Sequence, residues 1–509
     1  MAANNPVPET GATPNAPTQL ARMLIDGEWV DSADGRRQSV RNPGTGEIID
    51  SVPIATEGDL RRAIVAAQRG KEAMRRLPAH ERARILSKVG RRLLNDREEL
   101  AVLLARENGK PIRQTREEVS AAARIFQGFA EEAKRVFGRV IPMDAVPGLE
   151  LDVGITVREP VGVVAAIVPF NYPVELYAHK VAAALAAGNA VIGKPPSECP
   201  LALLRLAAII EAAGLPQGGH QMVTGPGSLV GPILAGDPGI QLITVTGSVE
   251  VGVELSRLAA PSLKKVHAEL GGNDAFIVCA DADVARAAEA IVLGRLARGN
   301  GQICCAVKRV FVHESLSHEL AMQLTERVRH LQVGDQLDEA TDVGPLITEA
   351  AAERVEASIA EAVRAGARVV AGGVRRGAFV EPTVVIDVPR DASAFRSEVF
   401  GPVVPLVTFS SIDEAVLMAN DSPYGLQAAV FTRDVSTAFE IAHRLEAGGV
   451  IVNWSSALRA ENLPFGGVKL SGHGREGIHD TLEEMTIQKV ILFHDVLGGS
   501  GGPQQSATT

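Results

Sequence analysis

A chain of 509 residues is too long for a single compact core, so two or three domains are expected. Its 46% hydrophobic and 22% charged residues describe an ordinary globular protein, and a net charge of −10 excludes the basic surface of a general nucleic-acid binder. Four cysteines (Cys199, Cys279, Cys304, Cys305) are too few for a disulfide scaffold, and no apolar run approaches the roughly 18 residues of a membrane-spanning helix.

Residues 1–18, rich in Ala, Asn, Pro and Thr, and residues 497–509, rich in Gly, Ser and Gln, read as disordered tails. No charged segment followed by an apolar one opens the chain, so no secretory signal is expected and the reading is cytoplasmic. Residues 57–108 carry apolar side chains at helical spacing with Arg, Lys and Glu between them, which predicts a helical stretch with a solvated basic face. From residue 161 the pattern changes. Strands are expected at 162–169, 189–193, 221–224, 242–246 and 265–269, with helices at 174–187, 201–213, 228–235 and 249–260. Short β-α-β steps of this kind form a parallel, doubly wound sheet. A second series from 275 to about 465, with strands at 309–312, 403–409 and 449–453, predicts a second α/β lobe and a cleft between the two.

Pro169-Phe170-Asn171-Tyr172-Pro173 ends the first strand of the wound sheet, where ligand sites of open α/β sheets concentrate. Asn171 is a turn residue or an amide donor for a developing oxyanion. Lys194 is a surface lysine or a contact for a ribose or phosphate. Gly225 and Gly227, in a G-x-G-x-x-x-G run, and Gly247-Ser248 both sit at strand-to-helix turns. Each is plain turn chemistry or a cradle of amides for a pyrophosphate. Glu269 follows in Glu-Leu-Gly271-Gly272. Thirty-five positions later comes Cys304, in Gly-Gln-Ile303-Cys304-Cys305. A free thiol titrates near pH ~8.5 and reacts as the thiolate, so a neighbouring base or positive charge is needed; Glu269 is the candidate. Adjacent cysteines do not make a Cys-x-x-Cys pair or a zinc knuckle, and no His/Cys/Asp/Glu cluster has ligand spacing, so no metal is expected. Cys199 and Cys279 read as small buried hydrophobes, Cys305 as a spectator able to trap an oxidised Cys304, and His267 as a core residue or a neighbour tuning Glu269.

Seven of these pieces occur together: Pro-Phe170-Asn171-Tyr-Pro, Lys194-Pro, Thr-Gly247-Ser248, Glu269-Leu-Gly-Gly, Gly-Gln-x-Cys304, Glu398-x-Phe400-Gly-Pro and Pro-Phe465-Gly-Gly-x-Lys-x-Ser-Gly. In them the chain resembles the NAD(P)-dependent aldehyde dehydrogenases over about residues 23–496. The resemblance implies an α/β aldehyde dehydrogenase fold. It would comprise a Rossmann-like cofactor domain (19–145 and 162–270), a catalytic domain (271–482) and a small β oligomerisation flap (146–161 and 483–496) that pairs subunits into a homodimer or homotetramer.

It further implies that Cys304 attacks an aldehyde, with the Asn171 amide and the Cys304 N–H holding the oxyanion, and that Glu269 activates water to hydrolyse the thioester. Relatives that pass the acyl group to coenzyme A typically lack the equivalent of Glu269, so its presence favours hydrolysis. Lys180 is implied as a proton relay. Glu398 is implied at the nicotinamide ribose, with Phe400, Pro169, Phe170, Lys194, Ser197, Gly225, Gly227, Gly247, Ser248 and Gly271 around the cofactor.

NAD-preferring relatives often carry Glu where this chain has Ser197, with Glu198 one position on. A carboxylate repels a 2′-phosphate and a serine tolerates one, so NADP is expected to be accepted beside NAD. Arg459 and the Asn453-x-Ser-Ser456 run resemble the branch of lactaldehyde, phosphonoacetaldehyde and non-phosphorylating glyceraldehyde-3-phosphate dehydrogenases. Arg459 would bind a hydroxylated or anionic tail, or else serve as a domain-contact arginine. Ile303 stands where enzymes for phosphorylated aldehydes often carry Arg. A small hydroxyaldehyde such as lactaldehyde or glycolaldehyde is therefore the first expectation, met by Arg459, Ile303 and Phe465, and a less polar or aromatic aldehyde the second. The rival of a different class is a cofactor-independent thiol esterase.

Overall fold

A computed structural model describes residues 21–498, so the two expected tails lie outside the described residues except for 497 and 498. The stretch expected to be helical over 57–108 is three helices, Glu57–Arg76, Ala79–Asn95 and Arg97–Asn108. Leu77 is extended (φ −68°, ψ 120°) because it precedes Pro78, which disfavours the helical conformation there. Thr56 and Asp59 form a reciprocal capping box at the start of the first. On one face of a sheet, Ala79–Asn95 and a fourth helix, Ile112–Glu132, pack their apolar stripes against the buried helix Pro173–Ala187, with Arg97–Asn108 against Ile112–Glu132. Glu57–Arg76 covers the other face, where Leu60, Ala63, Ile64 and Ala67 meet Val163, Ala165 and Ile167.

That sheet has the order Glu28–Val30, Met23–Ile25, His220–Met222, Ala190–Lys194, Val163–Ile167, Leu242–Thr246, Lys265–Glu269, Gly472–His473. The five central strands are parallel and the outer ones antiparallel. Val163–Ile167 is fully buried, the run of apolar residues expected of a strand covered on both faces. The next strand in sequence, Ala190–Lys194, lies on one side of it and Leu242–Thr246 on the other. The turns ending at Asn171 and at Ser248 thus flank a topological switch point, where such sheets open a crevice.

The second sheet repeats this plan. Its order is Arg368–Ala371, Thr383–Ile386, Val403–Phe409, Arg309–His313, Ala275–Val278, Gln427–Phe431, Gly449–Val452, parallel except at the first edge. A third sheet joins Thr486–Phe493, Val153–Pro160 and Val140–Ile141. The sheet takes in the flap expected over 146–161 and 483–496 and adds a strand before it, in which Val140 pairs with Ile155. Its outer strand leaves Val490 68% and Leu492 51% exposed. No helix among the described residues is long and apolar enough to cross a membrane.

Candidate active site

Glu269 is the last residue of a strand of the first sheet, and six positions later Ala275 begins an inner strand of the second. The C-terminal edge of one sheet thereby meets the N-terminal edge of the other. On the second sheet the strand beside Ala275–Val278 is Arg309–His313, and the turn leading into it holds Cys304. The two glycines after Glu269 let these segments touch. A Cβ on Gly272 would lie 2.8 Å from the Cys304 carbonyl oxygen, and one on Gly271 would lie 2.2 Å from Glu398 Oε2. Lys308, which is buried, donates from Nζ to the Gly272 carbonyl (2.6 Å) and to the Cys304 carbonyl, and ion-pairs with Glu398. One ammonium group therefore ties the Glu269 connector to the cysteine turn.

The cysteine turn is bent out of a helix. Val284–Ile291 continues as a π-helical turn, Val292–Ala297, after which Gly299, Asn300 and Gly301 all adopt the left-handed region (φ 58°, 54° and 73°). Asn300 is the one residue of the three for which this is unusual, and its side chain explains the choice. Its Nδ2 donates to the carbonyls of Gly109 and Pro345, each at 2.9 Å, and its Oδ1 accepts from Gly344 N at 2.8 Å. Arg295, fully buried, donates to the carbonyls of Val403, Val399 and Gly301 and holds the turn from below.

Glu269 is 3% exposed and its Oε1 has no partner among the described residues. Beside it Glu476 accepts from Lys180 at 2.6 Å and from Arg459, whose guanidinium lies 4.4 Å over the Phe465 ring. Against the cost of burial, Lys180 and Arg459 hold the Glu476 carboxyl well below its usual range. Burial and then the Glu476 charge push Glu269 well above its own, with Lys180 and Arg459 opposing. The hydrogen bond to Cys305 and then burial raise the Cys304 thiol, opposed by the Lys308 and Arg459 charges. Arg459 thus acts electrostatically on both the carboxyl and the thiol. Asn171 is 5% exposed, just ahead of the helix Pro173–Ala187, and its Oδ1 is also unpartnered. His267 faces the same side as Glu269 but is drawn toward Glu484 (3.2 Å) and kept neutral by burial.

A cleft of about 580 Å³ runs up to this group, lined by Tyr172, His179, Arg298, Trp454 and Arg459 among others. Four arginines line it. Arg113 pairs with Asp342, Arg124 with Glu117 and Glu461, and Arg459 with Glu476. Arg298 instead donates to the Tyr172 hydroxyl (3.2 Å) and the Ala457 carbonyl (2.9 Å), and has no carboxylate partner among the described residues. Arg459, expected at the substrate tail, lines the cleft but is engaged by Glu476. Ile303 and Phe465 are buried together in a small apolar cluster with Cys305, Ala306 and Leu426, against which Cys304 and Tyr172 pack.

The residues expected around a dinucleotide gather at the switch point. Lys194 Nζ reaches Ser197 Oγ at 3.5 Å, and Ser197 donates to the Gly225 carbonyl at 3.2 Å. A Cβ on Gly227 would come within 3.9 Å of Lys194 Nζ. Ser248 caps the helix Val249–Ala259 through Val251 N, and Gly247 N donates to the Glu269 carbonyl. Pro169 and Phe170 follow the central strand, and Phe170 meets Phe400 edge to face, their ring centroids 5.8 Å apart. The buried Thr246 Oγ1 has no partner, and two helix N-termini, at Gly227 and Val249, open on this side. A diphosphate suits these unsatisfied donors. Glu198 is exposed, while Ser197, and not a carboxylate, touches Lys194.

Lys308, Glu476, Arg298 and Asn300 escape the sequence reading. A charge is recognised as buried only once its partners are known, and those partners lie up to hundreds of residues away. Asn300, flanked by two glycines, carried the one local signal, since Asn tolerates the left-handed region.

The profile described as the aldehyde dehydrogenase family matches residues 29–491. The chain is 42% identical over 473 residues to 3-sulfolactaldehyde dehydrogenase of Priestia aryabhattai, covering 93% of this chain and 98% of that one. It is 40% identical over 470 residues to succinate-semialdehyde dehydrogenase [NADP(+)] GabD of Escherichia coli, covering 91% and 96%. Among solved structures, an NADP-dependent enzyme of E. coli superposes with a TM-score of 0.91 at 38% identity, covering 95% of this chain and all of that one.

Proposed function

Since the chain belongs to the aldehyde dehydrogenase family, an oxidoreductase family, we propose that it oxidises a short hydroxyaldehyde to its carboxylic acid with NADP or NAD, through a thioester on Cys304. The observation that carries this reading is the buried, half-unpartnered carboxyl of Glu269 on the connector that touches the Cys304 turn.

The Cys304 sulfur adds to the aldehyde carbon and gives a thiohemiacetal. The Asn171 amide and the Cys304 N–H receive the developing oxyanion, each donor contributing roughly 2.7–4 kcal/mol by analogy with protease oxyanion holes. The nicotinamide, when bound, supplies a hydride acceptor. Pro169, Phe170, Lys194, Ser197, Gly225, Gly227, Gly247, Ser248, Gly271, Glu398 and Phe400 are the residues that would hold it. Glu269 takes a proton from the water that hydrolyses the thioester. Its raised affinity for protons suits a base. Against the hydrogen bond to Cys305 and the cost of burial, the charges of Lys308 and Arg459 favour the thiolate of Cys304.

Ser197 beside Lys194 supports NADP acceptance, since the side chain hydrogen-bonded to that lysine is a neutral hydroxyl, while Glu198 acts on it only through its charge and is itself exposed. The exposed apolar edge Thr486–Phe493 supports pairing of subunits into a dimer or tetramer. A second reading of the substrate is favoured by Arg298. This cleft arginine without a carboxylate partner suits an aldehyde whose far end is a sulfonate or carboxylate.

The deciding experiment follows absorbance at 340 nm with each cofactor in turn, over lactaldehyde, glycolaldehyde, 3-sulfolactaldehyde, succinate semialdehyde, glyceraldehyde 3-phosphate and benzaldehyde. Highest kcat/KM for lactaldehyde or glycolaldehyde supports the first reading, and for the anionic pair the second. Activity confined to esters, without cofactor, would overturn both.

A further inference from the structure

Four consecutive residues, 107–110, have no part in the chemistry above and yet touch both halves of the site. They span the end of the helix Arg97–Asn108, whose last two residues are Glu107 and Asn108 and which stops on Gly109 in the left-handed region (φ 89°). Only glycine fits there, because a Cβ would lie 2.6 Å from the Pro345 carbonyl oxygen. On one side the Asn108 amide donates to the Phe170 carbonyl at 2.5 Å, and Lys110 Nζ donates to the Asn171 carbonyl at 2.7 Å. On the other side the Gly109 carbonyl accepts from Asn300 Nδ2, at 2.9 Å, inside the turn that presents Cys304.

Lys110 is 1% exposed, ion-pairs with the buried Glu118 and lies 3.9 Å over the Tyr172 ring. The other oxygen of Glu118 accepts from Val174 N at 2.9 Å and so fixes the start of the helix that carries Lys180. Glu107 does the same for the helix Leu201–Ala212, accepting from Leu201 N and Ala202 N, each at 2.7 Å.

We propose that residues 108–110 form a clamp, with Lys110 as its charged pin, that sets the Asn171 amide against Cys304 and so builds the oxyanion site. The inference rests on the reading that Asn171 donates to the oxyanion. Such a donor works only within about 2.7–3.1 Å of the developing charge, and a displacement near 1 Å can cost about 100-fold. The Oδ1 of Asn171 is unpartnered, so that end of the side chain does nothing to orient the amide. Orientation must come through its backbone, where a buried ammonium is a stronger anchor than a neutral donor. Lys110 touches no reacting atom. It is a positioning residue.

The test uses the full-length enzyme carrying Lys110→Met with Glu118→Gln, which removes the pin, leaves no buried unpaired charge and keeps an acceptor for Val174 N. Two reactions of Cys304 are compared. Aldehyde oxidation develops an oxyanion; alkylation by iodoacetamide displaces iodide and develops none. The double variant should lose about 10- to 100-fold in kcat while its alkylation rate stays within about twofold of the parent. Placed on Asn171→Ala, the same pair of changes should cost less than about twofold more, because the residue it positions is gone. Asn108→Ala, a milder variant, should move kcat the same way by about 3- to 10-fold. Alkylation falling in parallel with oxidation, or full additivity with Asn171→Ala, would overturn the clamp. Asn171→Ala at parental turnover overturns the oxyanion reading and the clamp with it; a slow Asn171→Ala beside a fast Lys110 variant overturns the clamp alone.

Discussion

The ammonium of Lys180 lies 2.6 Å from the carboxylate of Glu476, and each side chain is only 1% exposed. The pair sets the charge against which Glu269 titrates, since Glu476 raises that carboxyl and Lys180 lowers it. Lys180→Met should therefore move the acid limb of kcat against pH to higher pH, and Glu476→Gln should move it lower. Steady-state rates between pH 5.5 and 9 read the shifts; shifts of one sign in both variants would contradict the electrostatic account. Each variant also breaks a buried pair, which costs roughly 3–5 kcal/mol, so both should melt earlier.

Glu269→Gln should separate the two chemical halves. Reduced cofactor should still appear in a rapid burst of about one equivalent per site, while steady turnover falls by about 10²- to 10⁴-fold as thioester accumulates. Cys304→Ala should abolish burst and turnover together. Rapid mixing with detection at 340 nm, with mass spectrometry of the quenched protein, measures both.

Ser197→Glu should place a carboxylate beside Lys194. The value of kcat/KM for NADP should then drop by at least about 10-fold through repulsion of the 2′-phosphate, with NAD changed little. An unchanged ratio of the two cofactors would locate the discrimination elsewhere.

Arg298→Leu tests the far end of the cleft. Loss of a charge-assisted hydrogen bond of roughly 1.5–3 kcal/mol should lower kcat/KM for 3-sulfolactaldehyde or succinate semialdehyde by about 10- to 100-fold. Lactaldehyde should fall much less. Equal losses for charged and uncharged aldehydes would mean that Arg298 shapes the cleft without binding the anion.

Three buried histidines link stability to pH. Burial holds His179 and His220 down to about 3, and His267 down to about 4, from an ordinary value of 6.5. A depressed value means that the unfolded chain binds more protons than the native one between these limits, so stability is full above about pH 6.5 and drains as pH falls. By pH 5 each accounts for about 2 kcal/mol. Melting temperatures taken from pH 7.5 to 5 should fall, and His220→Gln should reduce the slope. A slope identical to the parent's would exclude His220 as a contributor.

The alternation of short strands and helices from residue 161 onward was legible because parallel strands covered on both faces read as unbroken apolar runs, as Val163–Ile167 does. The expected helical stretch over 57–108 was not three helices in the sequence reading, since its apolar period continues across Pro78 and Asp96 while the backbone does not. Cys304, Glu269 and Asn171 were legible as candidates because each sits in a glycine- or proline-marked turn. Arg459 was legible as a cleft residue, but its engagement by Glu476 was not, because nothing local announces an ion pair.

By itself the sequence determined the two wound lobes and the family motifs, and singled out a thiol, a carboxyl and an amide as candidates, since periodicity and turn chemistry are properties of neighbouring residues. Only the tertiary structure decided which charges share a buried space. Glu476 between Lys180 and Arg459, Lys308 bridging the Gly272 and Cys304 carbonyls, Lys110 on the carbonyl of Asn171 and Arg298 without a carboxylate all depend on segments far apart in the chain. Burial makes such pairings consequential, because an ion removed from water must find its partner in the fold.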